Sequence, residues 1–159
     1  MPGFELIGKE EHEELNDLMN NSGILFRHGF DALRNNVYKV KEFENNFAEF
    51  MQVKNALAVT SGTSALHVAL KAFGIGAGDE VITQAFTFVA TVEAIVESGA
   101  KPVICDIDGT LNLDSSYLDK YVNINTKAII VVHMLGTPCN MNGVLKFAKK
   151  HNLKVIEDT

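Results

Sequence analysis

The chain has 159 residues, of which 47% are hydrophobic and 21% are charged, a composition that is typical of a folded domain and excludes a disordered chain. The formal net charge of −6 disfavours a nucleic-acid surface, since such surfaces need clustered cationic side chains. Because no apolar segment reaches the length of a signal peptide or a membrane span, we expect a cytoplasmic protein without a membrane or nucleic-acid partner.

The N-terminal third of the chain predicts helices. Residues 9–19 are polar and acidic and predict one helix. A second helix is predicted by one apolar stripe, formed by Val40, Phe43, Phe47, Phe50 and Met51. We predict a single domain over residues 1–159, in which residues 1–54 are packing helices and residues 55–159 form βα units.

Beyond residue 55, short apolar segments alternate with helical patterns. The predicted strands are residues 56–60, 80–83, 102–106, 127–132 and 153–157. They begin 22 to 26 residues apart, an interval that suits βα units. The segments are rich in β-branched residues and nearly continuous in apolar ones, as in strands that helices cover on both faces. We therefore predict an α/β fold with a mostly parallel sheet flanked by helices.

The turn Ser61-Gly62-Thr63-Ser64 follows the first predicted strand and opens a helix. A helix N-terminus offers unpaired N–H groups and a partial positive charge, so this turn can bind a phosphate. Capping of the helix by Ser61 or Thr63 explains the same residues without a ligand. The position favours a ligand, because ligands of open α/β sheets bind at the carboxyl ends of strands.

Two further segments resemble ligand-binding features. Gly74, Gly76 and Gly78 follow a helix and precede a strand, which is the reverse of the order in a dinucleotide-binding loop, so we interpret them as a turn. Phe86 and Phe88 lie where the second predicted strand passes into a helix. An aromatic side chain there either stacks on a planar ligand or belongs to the core.

The segment DIDGTLNLD resembles the motif of haloacid-dehalogenase-type phosphatases, in which Asp106 would be the nucleophile and Asp108 would handle a proton. That motif normally lies on the first strand, whereas two strand-helix units precede Asp106 here. An Asp-Gly pair after a strand is also typical of a simple turn. We interpret the segment as a turn and keep the phosphatase as a remote alternative.

Cys105 and Cys139 lie far apart in apolar surroundings, which predicts buried thiols and no disulfide. No pair of Cys or His residues has the spacing of a zinc site, so we expect no metal.

His133 and Asp158 end the fourth and fifth predicted strands. The histidine either serves a pocket or is held by hydrogen bonds. The carboxylate of Asp158 either pairs with a cationic nitrogen of a ligand or is a solvated turn residue. Because parallel strands end at one edge of the sheet, we predict that Gly62, His133 and Asp158 converge there.

Four blocks of the sequence, in this order, resemble the DegT/DnrJ-type sugar aminotransferases. They are EFENNFAEFMQVKNALAVTSGTSALHVAL, GDEVITQAFTFVATVEAIVESGAKPVICDID, VVHMLG and KVIEDT. These enzymes depend on pyridoxal phosphate (PLP) and have the aspartate-aminotransferase fold. The resemblance runs from about residue 6 to the end and implies the N-terminal portion of a fold-type I large domain, so that residues 1–159 form one incomplete domain.

The resemblance also implies roles for individual residues. Gly62, Thr63 and Ser64 match the turn that binds the cofactor phosphate. Phe88 matches the aromatic residue that stacks on the cofactor ring, and Asp158 matches the partner of the pyridine nitrogen. His133 matches a histidine that is common in the family, to which we assign no role.

The activity implied is transfer of an amino group, from glutamate, to the keto group of a nucleotide-linked sugar by a homodimer. In the family, the lysine that forms the Schiff base lies beyond the position of Thr159, so the catalytic lysine is unknown and we expect the chain alone to be inactive. A non-catalytic fragment or interaction module is the alternative.

Overall fold

The computed structural model describes residues 4–159, which divide into two compact units on either side of the Ala58–Val59 bond. The first unit contains two α-helices, α1 (Lys9–Asn21) and α2 (Lys39–Phe50), and two short 3₁₀ turns. Both helices lie where the sequence predicts them. Glu10 and Glu11 occupy the first turn of α1, where negative charge is favoured by the helix dipole.

The second unit is built on a four-stranded, fully parallel sheet. Its strands are β1 (Glu80–Gln84), β2 (Lys101–Cys105), β3 (Thr126–Val132) and β4 (Lys154–Asp158), in the spatial order β2-β1-β3-β4. The helices are α3 (Gly62–Ala72), α4 (Val89–Glu97) and α5 (Met141–His151). These strands match four of the predicted ones to within one residue at each end, and the α/β fold class is confirmed.

Both faces of the inner strand β3 are covered, which explains why it is apolar from Ala128 to Val132. Along β3, Ala128 and Ile130 point into a cluster with residues of α3 and α4. The alternate residues, Ile129 and Val131, point into a second cluster with residues of α5. All four are fully buried. Successive side chains of a strand point to opposite faces, so a strand covered on both sides has no polar face.

The prediction of a first strand over residues 56–60 is wrong, since these residues form no strand. The peptide groups of Ala58 hydrogen-bond with side chains: its N–H donates to Glu44 Oε1 at 2.8 Å and its C=O accepts from Arg27 Nη1 at 3.1 Å. A strand is defined by pairing with a neighbour. Within residues 4–159, no strand pairs with this segment, although its apolar pattern is that of a strand.

The glycine-rich segment after α3 is a turn, as predicted. Gly74 and Gly78 have φ angles of +73° and +91°, a region that glycine enters without steric cost. Across residues 4–159, every helix is too short or too polar to cross a membrane.

Cys105 and Cys139 are free and buried, as predicted. Burial in the apolar cluster between α5 and the sheet raises the pKa of the Cys105 thiol to about 12. Burial also raises the pKa of Cys139. The thiolate is the nucleophilic form, so both sulfurs are unreactive in the native state.

We therefore expect the native chain at pH 8 to release no chromophore from an aromatic disulfide reagent and to react at both thiols once it is unfolded in denaturant. As a control, Ser116→Cys adds an exposed thiol that should react at once in the native state. Reaction of the unaltered native chain as fast as this variant would contradict the burial described above.

Candidate functional site

The residues predicted to converge do lie at one edge of the sheet. Gly62, at the N-terminus of α3, and Asp158, the last residue of β4, line the same pocket of about 290 Å³. His133, which follows β3, donates its backbone N–H to the carbonyl of Asp158 at 3.0 Å. For His133 and Asp158 this placement follows from the parallel sheet, since β3 and β4 end on the same side. Gly62 follows no strand and lies at this edge as the first residue of α3.

The N-terminus of α3 keeps two backbone donors available. Ser61 caps the helix, because its Oγ accepts from the N–H of Ser64 at 3.1 Å. The N–H groups of Gly62 and Thr63 have no partner in the part of the chain that the structure describes. Capping and ligand binding are thus compatible here: capping uses Ser61, and two donors remain beside the pocket.

The carboxylate of Asp158 is tied through one oxygen only. Its Oδ2 accepts from Thr91 Oγ1 at 3.0 Å, and Thr91 lies 2.9 Å from Thr87 Oγ1. Among the described residues, Oδ1 has no hydrogen-bond partner. Thr91 was missed by the sequence reasoning. Its only signal is the four-residue spacing of the two threonines, which is frequent on helices without function.

Phe88 is not a core residue, which removes one of its two predicted explanations. It is the N-cap residue of α4, and its side chain is 72% exposed. An exposed phenylalanine at the carboxyl edge of a parallel sheet is available to stack on a planar ligand. Phe86, two residues earlier, is 39% exposed.

The side chain of His133 is held by two hydrogen bonds. Its Nδ1 accepts from the N–H of Cys139 at 3.1 Å, so Nε2 carries the proton and donates to Glu157 Oε2 at 3.1 Å. The ring therefore joins the ends of β3 and β4. His133 is not among the described residues that line the pocket of Gly62 and Asp158.

The segment DIDGTLNLD is a turn, as interpreted. Asp108 Oδ1 accepts from the N–H of Thr110 at 2.7 Å and from its hydroxyl, and both bonds lower the pKa of Asp108. Ile107 and Leu113 close the turn by an antiparallel bridge. Asp106 accepts from the hydroxyl of Tyr121 at 2.9 Å. In the described range 4–159, no three potential metal ligands are arranged around a common point.

Gln84, at the end of β1, organises the loops around this edge. It is fully buried, and its amide nitrogen donates to the carbonyls of Phe86 and Leu111 at 2.9 and 3.4 Å. Its oxygen accepts from the N–H groups of Leu113 and Val132 at 3.3 and 3.2 Å. All of its hydrogen-bonding capacity is therefore used. Sequence reasoning gave it no role.

Asn112 has a similar function in the neighbouring loop. Its Nδ2 donates to the carbonyl of Thr137 at 3.0 Å, and its Oδ1 accepts from the N–H of Met134 at 2.9 Å. The two buried amides thus fix loops that follow β1, β2 and β3 at this edge of the sheet.

Comparisons with known proteins agree with this arrangement. A model of the DegT/DnrJ/EryC1/StrS aminotransferase family matches residues 7–159. The chain is 46% identical over 154 residues to the spore coat polysaccharide biosynthesis protein SpsC of Bacillus subtilis (strain 168), covering 96% of this chain and 37% of that protein. It is 47% identical over 120 residues to the GDP-perosamine synthase of Caulobacter vibrioides, covering 75% of this chain and 32% of that enzyme.

A solved structure is similar over nearly the whole chain. It is that of NtdA from Bacillus subtilis with the bound cofactor PMP, which is pyridoxamine phosphate. The TM-score is 0.81 at 30% identity, and the match covers 96% of this chain and 34% of NtdA. The chain thus spans about a third of the length of these relatives, 37% of one and 32% of the other.

Proposed function

Because the chain belongs to the DegT/DnrJ/EryC1/StrS aminotransferase family, we propose that the protein is a PLP-dependent aminotransferase that acts on a nucleotide-linked keto-sugar. The names of two relatives support the substrate class, since one is a GDP-perosamine synthase and the other is a polysaccharide biosynthesis protein. The observation that carries the proposal is the pocket that is lined by both Gly62, at the N-terminus of α3, and Asp158, at the end of β4.

Gly62 and Asp158 of this pocket, together with Thr63, Ser64 and Phe88 outside its lining, fit the cofactor. The unpartnered N–H groups of Gly62 and Thr63 suit a phosphate, and the hydroxyls of Thr63 and Ser64 lie on the same turn. The free oxygen of Asp158 suits a protonated ring nitrogen. The exposed ring of Phe88 suits the face of a pyridine. When bound, the cofactor supplies an electron-withdrawing ring that stabilises a carbanion on the substrate.

Each residue has a separate task in this scheme. Asp158 holds a proton on the ring nitrogen, because an ionised carboxylate only accepts hydrogen bonds. The turn Gly62-Thr63-Ser64 anchors the phosphate and thereby sets the position of the ring. Phe88 fixes the plane of the ring and excludes water from one face. The lysine that would link the cofactor covalently is not assigned to any residue of the chain.

The remaining features of the proposed enzyme follow the family resemblance. We propose glutamate as the amino donor, a homodimer as the working assembly and the cytoplasm as its location. Residues 1–54 and 55–159 would belong to one domain, and residues 1–159 alone would carry out no amino transfer. A phosphatase centred on Asp106 is not favoured, because turn hydrogen bonds account for that motif.

The cofactor site is tested with PMP, which binds without a covalent link to lysine. We expect PMP to bind to residues 1–159 weakly and Asp158→Ala to raise its Kd about 10- to 100-fold, because a hydrogen bond between charged groups contributes about 1.5–3 kcal/mol. The measurement is a fluorescence titration of the cofactor with the protein.

Glu93→Ala is the matched control, since Glu93 is an exposed carboxylate on α4 and its loss should leave the Kd unchanged. Equal Kd values for Asp158→Ala and the unaltered chain would contradict the cofactor site. The reaction itself is tested on a protein of the relatives' length. In that assay, nitrogen-15 from labelled glutamate should appear in the sugar product. Phosphate release that depends on Asp106 would instead favour the phosphatase.

A further inference from the structure

We propose that Thr91, oriented by Thr87, is a positioning residue that fixes the carboxylate of Asp158 so that a single oxygen faces the cofactor ring. The inference rests on the proposed function, because it concerns the residue assigned to the ring nitrogen. Neither threonine is expected to touch the cofactor. Their role is to set the orientation of a residue that does.

Proton counting gives the hydrogen bonds a direction. An ionised Asp158 has no proton to donate, so Thr91 must donate across the 3.0 Å contact to Oδ2. The Thr91 hydroxyl has one proton, and that proton is then used. Across the 2.9 Å contact between the threonines, Thr87 must therefore be the donor. The result is a chain that runs from Thr87 through Thr91 to Asp158.

The alternative partner of Thr87 is weaker. Its hydroxyl also lies 3.4 Å from the carbonyl of Phe88, but one proton serves only one acceptor well, and the contact with Thr91 is shorter. Thr91 is 1% exposed, so water does not compete for its hydroxyl. Burial makes this hydrogen bond a defined part of the fold and not one of several solvated alternatives.

The consequence is a carboxylate with one occupied and one available oxygen. The terminal torsion of an aspartate is broad, so an untethered carboxylate samples many orientations. The bond from Thr91 to Oδ2 selects one of them and leaves Oδ1 without a partner among the described residues. A pyridinium nitrogen carries a single N–H, which matches a single free acceptor. We call the hydrogen bond from Thr91 to Asp158 Oδ2 the tether. Because the tether orients the carboxylate before the cofactor binds, binding loses less conformational entropy.

The same chain of hydrogen bonds joins two cofactor contacts. Thr87 immediately precedes Phe88, the residue proposed to stack on the ring, while Thr91 holds the residue proposed to meet the ring nitrogen. Asp158 lies 67 residues from Thr91 in sequence. The hydroxyl pair therefore sets the stacking segment and the carboxylate relative to each other, which a planar ligand requires.

The test compares PMP affinity and the bound PMP spectrum among variants of residues 1–159. Thr91→Val, which keeps the shape of the side chain and removes the hydroxyl, is expected to raise the Kd about 3- to 10-fold. Thr91→Ser restores the hydroxyl and should lie within about 2-fold of the unaltered chain. As the pH is raised, the absorbance band of the protonated cofactor ring should disappear at a lower pH in Thr91→Val than in the unaltered chain. The reason is that a less well oriented Asp158 carboxylate stabilises the proton on the ring nitrogen less.

Thr83→Val is the matched control. Thr83 is also a fully buried threonine, but its hydroxyl has no hydrogen-bond partner among the described residues, so its removal should leave both the Kd and the spectrum unchanged. Thr91→Val binding PMP with the affinity and spectrum of the unaltered chain would overturn the proposal.

A second measurement separates this inference from the proposed function. If the unaltered chain does not bind PMP, the cofactor site fails, and the tether is tested without cofactor by NMR. The Thr91 hydroxyl proton should then exchange slowly with water, and Asp158→Ala should accelerate its exchange while Asp158→Asn, which keeps an acceptor, should not. An exchange rate that is unaffected by Asp158→Ala would overturn the tether itself.

Discussion

Replacing Gln84 by leucine is expected to lower the free energy of unfolding by about 3 kcal/mol, although leucine is the more hydrophobic residue. The side chain is fully buried and serves four backbone groups, two carbonyls and two N–H groups. Leucine leaves all four without this partner, and a buried unsatisfied polar group costs about 1–3 kcal/mol. Part of that cost is offset by the added apolar burial and by relaxation of the loops.

The neighbouring residue provides a contrast within the same strand. Thr83 is buried to the same extent, but its hydroxyl has no partner in the described part of the chain. Thr83→Val removes an unsatisfied group and keeps the shape, so it should stabilise the fold by up to about 1 kcal/mol. Urea unfolding followed by circular dichroism measures both variants. A Gln84→Leu variant as stable as the unaltered chain would contradict the role assigned to the amide.

The substitution Gly143→Ala should lower the free energy of unfolding by about 2 kcal/mol, against the helix propensity of alanine. Gly143 lies in α5, where alanine is normally preferred by about 1 kcal/mol. Here a Cβ atom would clash with Ser115 Oγ and would lie 2.9 Å from Ser115 Cβ. Rotation of the serine relieves the first contact but not the second, so the backbone must shift, and overpacking of this kind costs about 1–3 kcal/mol.

A double-mutant cycle tests the cause directly. In a Ser115→Gly background both clashing atoms are absent, so Gly143→Ala should become stabilising, by up to about 1 kcal/mol. The measurement is the urea midpoint of the four proteins. A Gly143→Ala effect of the same size and sign in both backgrounds would show that Ser115 is not the cause.

The parts of the fold that follow from local pattern were predictable. The four strands of the sheet have apolar patterns that indicate burial, and each strand lies where its pattern predicts it. The segment 56–60 has an equally good strand pattern but forms no strand. An apolar pattern indicates which side chains are favourably buried. A strand also requires a neighbouring strand to which its backbone can hydrogen-bond, and the sequence of the segment alone does not show whether that neighbour exists.

The candidate site was predictable only where position in the fold decides it. His133 and Asp158 were placed together because parallel strands end at one edge, and the backbone N–H of His133 donates to the carbonyl of Asp158. Gly62 lines the pocket of Asp158 as predicted, although the strand predicted before it does not form. Thr91 and Gln84 were not found, because their partners are remote in sequence: 67 residues separate Thr91 from Asp158, and 48 separate Gln84 from Val132. Long-range hydrogen bonds of single polar residues leave no periodic signal.

The parallel order of the strands also constrains how the second unit can fold. The two paired strands that are closest in sequence, β1 and β2, align Glu80 with Lys101. The inner pair, β1 and β3, aligns Glu80 with Thr126. No hairpin can therefore serve as a nucleus, and every pairing must first close a loop of more than 20 residues at an entropic cost. Helix α4, which connects β1 to β2, is the most local element able to bring two strands together. We therefore expect the α4 crossover to be formed in the folding transition state and β4 to dock after it, so that the edge holding Asp158 is completed last.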